Sequence, residues 1–291
     1  MNAKKLFALA MSAALALTTL TACGAKTETP AASTPAASTP AASIPAQLSG
    51  TVNLDGSTSM EKVIKILIES FNETNPNVTL NYNGSGSGAG ITAAIDGTAD
   101  LGLSSRELKA EETAKGAAAN VVALDGVAVV VNPENAVEDL TVEQIAKIFS
   151  GEITNWAQVG GADGVIAVLG REPGSGTRGA FEEIVGVEDA CVYNAEYSST
   201  GDVIGQVSTN PNAIGYASLS AVSSSVKALK VNDVECTEAT VKDGTFPIQR
   251  PFLIVTKEGA ELSPAAQAFL EYAMSAEVAD LIAQAGAVSP N

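Results

Sequence analysis

The sequence predicts an α/β protein of two lobes, the first discontinuous and the second inserted into it, with a cleft between them. Three observations carry this expectation. A strand, a small hydroxyl-rich turn and a helix recur in that order three times after Leu48, the plan of an open α/β sheet. Two apolar runs, Val121 to Asn135 and Phe246 to Glu258, are long enough to carry the chain out of one lobe and back again. The segment between them has helix-like and strand-like stretches of its own.

In chain order, residues 1–22 read as an export signal. Lys4 and Lys5 form a basic start, and Leu6 to Leu20 is almost entirely apolar but too short to span a membrane as a normal helix. The run ends in "LTAC", which resembles a bacterial lipobox, and that resemblance implies that Cys23 is lipidated and becomes the first mature residue. In 23–47 a Pro-Ala-Ala-Ser-Thr unit recurs through Pro30, Pro35, Pro40 and Pro45, a composition that builds no core and reads as an extended tether. A lipid, a tether and a domain describe a protein displayed on the outer face of a membrane.

From Leu48, "GTVNLDGSTS" is a strand entering a polar turn, and Val63, Ile64, Leu67, Ile68 and Phe71 then recur at helical spacing. Val78 to Tyr82 is a second strand, followed by the loop "GSGSGAG" and the helix "ITAAIDGT"; "ADLGLSSREL" repeats the plan. Between the two crossing runs lie the helix-like "LTVEQIAKIFSGEITNWAQVG" and the strand "GVIAVLG". After them, "SPAAQAFLEYAMSAEVADLIAQAG" is one long helix or two, starting at Ser263 and Pro264.

Composition removes several function classes. The 291 residues include no histidine, which excludes Ser-His-Asp and Cys-His triads and the usual zinc sites. Three cysteines do not stand at metal-ligand spacing, so no metal and no cofactor is expected; with Cys23 assigned to lipid, Cys191 and Cys236 are left to pair or to stay apart. The net charge is −17, and loss of Lys4 and Lys5 with the signal would make it more negative still, which argues against nucleic acid and anionic lipid as partners.

Four segments gather hydroxyls and bare backbone at strand ends: "GSTS" at 56–59, "GSGSGAG" at 84–90, "SSR" at 104–106 and "REPGSGT" at 171–177. A glycine-rich turn entering a helix points backbone N–H groups outward, aided by the helix dipole, and makes an anion site. Arg171 adds a positive fork suited to pairs of oxygens on a tetrahedral anion, whereas Arg178 reads as a solvated helix-start residue. "GSGSGA" fits the dinucleotide fingerprint but lacks the acidic residue a ribose needs about 20 residues on, and "GREPGSGTR" lacks the Gly-Lys-Ser/Thr ending of a Walker loop.

With "DGSTSMEKV", "NYNGSGSGAGI", "ADLGLSSREL", "LDGVAVVVNP", "IFSGEITNW", "REPGSGTRGAF" and "NPNAIGYASL" in order, the chain from about Leu48 resembles the PstS-type phosphate-binding lipoproteins of bacterial phosphate ABC transporters. The resemblance implies a type II periplasmic-binding-protein fold, a Venus flytrap with lobe 1 at 48–130 and 249–291 and lobe 2 at 131–248. It implies a monomeric, non-catalytic receptor that closes on inorganic phosphate and delivers it to a membrane permease and its ATPase. By motif, Thr58, Ser59, Ser87, Ser105, Arg171, Ser175, Gly176 and Thr177 would hold phosphate, with Ser57, Arg106 and Asp125 as possible additions. Ser105 stands where the best-known branch has an aspartate that accepts the proton of hydrogen phosphate, so receptors for sulfate or molybdate remain in view. Asp125 could replace that acceptor, and Arg106 could pair with Asp125, touch the anion or form a salt bridge at the rim. A phosphatase sharing the fold is the enzyme alternative, and a signalling or adhesive role is a further one.

Overall fold

Gly50–Gly56 (β1) alternates exposed and buried positions, turning Val52 and Leu54 inward, the period of a strand with one face in a core. The computed structural model describes residues 47–290; the expected signal, Cys23 and the tether up to residue 46 lie outside the described residues. A 3-10 turn, Thr58–Met60, leads from β1 into Glu61–Thr74 (α1), which buries Val63, Ile64, Leu67 and Phe71. Val78–Asn83 (β2), Ser87–Asp96 (α2), Leu101–Ser104 (β3) and Ala110–Ala114 (α3) repeat the plan. The second helix begins at Ser87 rather than Ile91, so the tail of the glycine loop is itself helical.

Ala117–Val131 (β4) is the first crossing strand. After it come Asp139–Leu140 (β5), Val142–Phe149 (α4), Ala167–Arg171 (β6), Gly176–Val185 (α5), Ala195–Tyr197 (β7), Thr200–Thr209 (α6) and Ala213–Ser218 (β8). Lys227–Ala228 (β9), Lys230–Val231 (β10) and Glu238–Lys242 (α7) precede the returning strand Gln249–Lys257 (β11). The chain ends in two helices, Pro264–Ala273 (α8) and Ala279–Gln284 (α9), because Ser275 interrupts the run and a 3-10 turn, Ala276–Val278, joins them.

One sheet has the order β2-β1-β3-β11-β4-β8-β6-β7, with β9 added on β4. At one end β2, β1 and β3 run parallel, and at the other so do β8, β6 and β7; β4 and β11 pair antiparallel between them. The long central strands serve two interiors. Val122, Ala123, Phe252 and Ile254 join the core beneath α1 and α8, whereas Val127 to Val131 and Ile248 join a second core with Phe149, Trp156, Phe181 and Tyr216. A strand buried on both faces reads as an unbroken apolar run, which explains "VAVVV". The first crossing strand starts at Ala117, earlier than Val121, because residues 117–120 already pair with β11; this puts Asp125 in the middle of β4 rather than at its start.

Cys191 and Cys236 are both free thiols. Among the described residues no helix is long and apolar enough to cross a membrane.

Candidate anion-binding site

Strand ends set the site. On the β1 to β3 side, the chain leaves β1 at Gly56 and presents Ser57, Thr58 and Ser59 before α1 begins. Ser87 opens α2, and Ser105 follows β3; Ser57, Ser59, Ser87 and Ser105 are all buried. The Ser105 N–H donates to Ser87 Oγ at 3.1 Å, and the two hydroxyl oxygens stand 3.3 Å apart. Ser87 Oγ thus accepts from backbone and keeps its own proton to donate. Ser57 Oγ is buried without a hydrogen-bond partner among the described residues, a deficit of about 1–3 kcal/mol that an incoming acceptor would relieve. Tyr82 donates to the Ser57 carbonyl at 2.9 Å; burial, with Glu61 and Asp55 nearby, raises its pKa and keeps it a neutral donor.

On the β6 side, Arg171 ends the strand and the loop 172–175 turns into α5. Ser175 is the N-cap, its Oγ accepting from the Arg178 N–H at 3.3 Å, so its proton too is left free to donate. Gly176 and Thr177 form the first turn of α5, where unpaired N–H groups and the positive end of the helix dipole favour an anion. A Cβ on Gly176 would overlap the hydroxyls of Ser87 and Ser105, so only glycine lets this helix end meet the other side so closely.

The two sides touch. Ser59 Oγ lies 2.5 Å from Thr177 Oγ1 and 3.0 Å from Thr200 Oγ1, and the Gly88 N–H donates to the Gly174 carbonyl at 2.9 Å. Thr200 opens α6 and is not among the residues the sequence singles out, yet it receives Arg171 Nη1 at 3.0 Å and lies 3.4 Å from Thr58 Oγ1. Its signal is present in "SSTGDV", a hydroxyl-rich turn before a helix like the other four. The structure therefore gathers Thr58, Ser59 and Arg171 around Thr200, with Thr177 against Ser59, and places Ser87 and Ser105 beside Gly176, with Ser175 capping the same helix.

The charges fall differently from expectation. Arg171 is 2% exposed and not a bare cation: Nη2 pairs with Glu172 Oε1 at 2.9 Å, and Ser198 and Tyr197 carbonyls take further donors. Its backbone N–H is held by Tyr216 Oη at 3.1 Å, and Tyr216 stacks on Phe181 within an aromatic cluster that fixes the strand end. Arg178 is not solvated. It donates to the Arg171 carbonyl and pairs with Glu182 at 2.8 Å and Glu196 at 2.6 Å, because carboxylates on its own helix and on β7 converge there.

Arg106 makes a two-pronged pair with Glu112, at 2.8 and 2.7 Å, so of the roles open to it the structure takes the salt bridge. Asp125 is taken up as well. It receives Arg250 Nε and Nη2 at 3.1 and 2.9 Å and Ser218 Oγ at 2.7 Å, while Arg250 Nη1 donates to the Ser105 carbonyl. Asp125 and Arg250 are register partners on β4 and β11, so the carboxylate considered as an acceptor for hydrogen phosphate is already paired with the arginine that reaches the Ser105 carbonyl. Among the described residues no group of three His, Cys, Asp or Glu could hold a metal ion.

The side chains that meet here are hydroxyls and one guanidinium, groups able to donate to an oxyanion. A family model described as a PBP superfamily domain matches residues 30–277. A phosphate-binding protein PstS of Bacillus subtilis is 32% identical over 79% of this chain and 77% of its own. A structure assigned as a phosphate ABC transporter substrate-binding protein with bound phosphate, from Clostridium perfringens, is 39% identical with a TM-score of 0.80, covering 83% of this chain and 100% of that one. An ABC-type phosphate transport receptor from Vibrio cholerae is 34% identical with a TM-score of 0.69, covering 82% and 100%. Three strand-turn-helix units, a doubly buried crossing strand and these likenesses converge: the chain belongs to the PBP superfamily and, within it, to the PstS phosphate-binding proteins.

Proposed function

We propose that this protein captures inorganic phosphate between its two lobes and delivers it to an ABC permease and its ATPase for import, without catalysing a reaction. The observation that carries this is the meeting of Ser59, from the turn before α1, with Thr177 and Thr200 at the starts of α5 and α6, where Thr200 also receives Arg171. Thr58, Ser59, Ser87, Ser105, Arg171, Ser175, Gly176 and Thr177 would hold the anion, and Thr200 joins them. Each hydroxyl that already accepts an N–H has its proton to offer, which suits an acceptor-only ligand. Fixed donors in a closed, dry site act far more strongly than the screened acidic surface repels.

The lobes divide at 48–130 with 249–291 and at 131–248, with β4 and β11 as hinge strands. The protein acts as a monomer, outside the cytoplasm and anchored through lipid on Cys23. Ser105, with Asp125 occupied by Arg250, favours one second reading, a receptor for another oxyanion such as sulfate. The test is equilibrium dialysis against labelled phosphate beside incubation with 4-nitrophenyl phosphate. Retention of phosphate with no nitrophenol released is expected; steady release would replace the receptor with a phosphatase, and no retention would remove phosphate from the account.

A further inference from the structure

Arg171 closes β6 where strand pairing gives out: β8 meets β6 at Ala167 and Val168, and the last pair with β7 is Arg171 with Tyr197. The Tyr197 carbonyl takes the Glu172 N–H, so the backbone of Arg171 itself turns the other way and meets side chains. Its N–H donates to Tyr216 Oη at 3.1 Å, and its carbonyl accepts from Arg178 Nη1 at 2.9 Å. Those two side chains are joined behind the strand. Tyr216 Oη lies 3.1 Å from Tyr193 Oη, Tyr193 donates to Glu182 Oε1 at 2.9 Å, and Arg178 Nε donates to the same oxygen at 2.8 Å. The hydrogen bonds form a closed circuit that leaves Arg171 by its N–H and returns to its carbonyl. Only one direction satisfies it: Tyr193 gives its single proton to a carboxylate, so it accepts from Tyr216, whose oxygen is then free for the Arg171 N–H. Burial raises both phenols above their ordinary pKa, which keeps those protons in place. Gly170 makes room for the circuit, because a Cβ there would overlap the Tyr193 side chain.

We propose that Tyr193, Glu182 and Arg178 are positioning residues for phosphate: with Tyr216 they lock the backbone of Arg171 to α5, and tight binding depends on the circuit being closed. The inference rests on the phosphate reading and deepens it. These residues act through Arg171 and do not touch the anion. Arg178 and Glu182 stand one turn apart on α5, the helix whose first turn carries Gly176 and Thr177, while Arg171 ends β6. The guanidinium and the helix start are thus parts of the cradle on separate elements, joined through the loop 172–175, and the circuit fixes one against the other. Donors held in place lose less freedom when the anion arrives, and a network whose members are all satisfied acts as a unit, so one missing hydroxyl opens the whole circuit. Packing holds the aromatic side chains independently of their hydroxyls: Arg178 lies over the Tyr193 face at 4.8 Å, and Tyr216 stacks on Phe181.

The experiment is equilibrium dialysis of labelled phosphate against the full chain, with Tyr193→Phe made in the native protein and again beside Arg171→Met. Y193F removes one hydroxyl and keeps the aromatic side chain that packs on Gly170 and Arg178. It is expected to weaken phosphate binding about fivefold in the native protein and less than about twofold beside R171M, where no guanidinium is left to position. A general loosening of the fold would weaken binding equally in both. Tyr216→Phe, which opens the circuit at the Arg171 N–H, is read in the same way and serves if Y193F does not fold. The two together are expected to weaken binding no more than about twofold beyond either alone, because a circuit already open has little further to lose. Native affinity in both Y193F and Y216F overturns the proposal, as does an equal loss with and without Arg171. Failure of the native protein to retain phosphate instead overturns the phosphate reading on which the proposal stands.

Discussion

Arg171 reaches the cleft with most of its donors spoken for, by Glu172, two carbonyls and Thr200. The pairing holds the guanidinium plane still, so an anion in the proposed site would meet a fixed fork and not a mobile cation. Charge-assisted hydrogen bonds contribute about 1.5–3 kcal/mol each, so Arg171→Met is expected to lower phosphate affinity about a hundredfold in calorimetry. Arg171→Lys should recover only a fraction, because one ammonium cannot keep Thr200 and the anion together. In the proposed site, Ser105 is the residue expected to set selectivity. Its hydroxyl both donates and accepts, whereas a carboxylate only accepts, so Ser105→Asp is predicted to raise the ratio of phosphate to sulfate affinity about tenfold or more. An unchanged ratio would mean that Ser105 does not face the ligand.

Elements place these residues, and one ion pair between elements stands out. Asp125 on β4 and Arg250 on β11 are 0% and 1% exposed at their side chains and tie the two crossing strands to Ser105 and Ser218. Removing one partner strands the other in the interior, so Asp125→Ala is expected to cost about 3–5 kcal/mol in denaturant unfolding. Asp125→Leu combined with Arg250→Met should recover most of that loss. At the rim, burial works against the Glu112 charge, but the hydrogen bonds and charge of Arg106 outweigh it and hold the carboxyl below its usual range. A depressed folded pKa stabilises above the unfolded value, about 4.3, and that contribution fades as pH falls through the folded value. Glu112→Gln should therefore lower the native melting temperature near neutrality and shrink its fall between about pH 5 and pH 3.

The elements were legible in sequence where their pattern is local. The strand, glycine-serine turn and helix units, the two crossing runs and the N-caps are written in neighbouring residues, and so was the gathering of hydroxyls at strand ends. What the sequence left unread is partnership at a distance. Nothing in "LDGVAVVV" names Arg250 as the partner of Asp125, and "GTRGAF" does not show that Glu196 and Glu182 would enclose Arg178. Thr200 escaped for another reason: the strand before it, β7, has only three residues and no apolar run to announce it.

At the scale of the whole molecule, two parallel sets of strands lie either side of β4 and β11, and Ser59, Thr177 and Thr200 from their helix starts meet one another. On the proposed receptor reading, an anion that engages both sides at once shifts the balance toward a closed form by its difference in affinity for the two states. The net charge of −17 then acts at a distance, where salt screens it, and leaves the cradle to local geometry. Burial pushes the half-buried Cys191 thiol up to about 11 and that of the buried Cys236 higher still, so both should react slowly in the folded protein. The most direct measurement is calorimetric titration of phosphate into protein stripped of ligand by unfolding and refolding, repeated in excess sulfate. Tight binding that survives the sulfate is the predicted result, and equal binding of sulfate would contradict a cradle selective for phosphate.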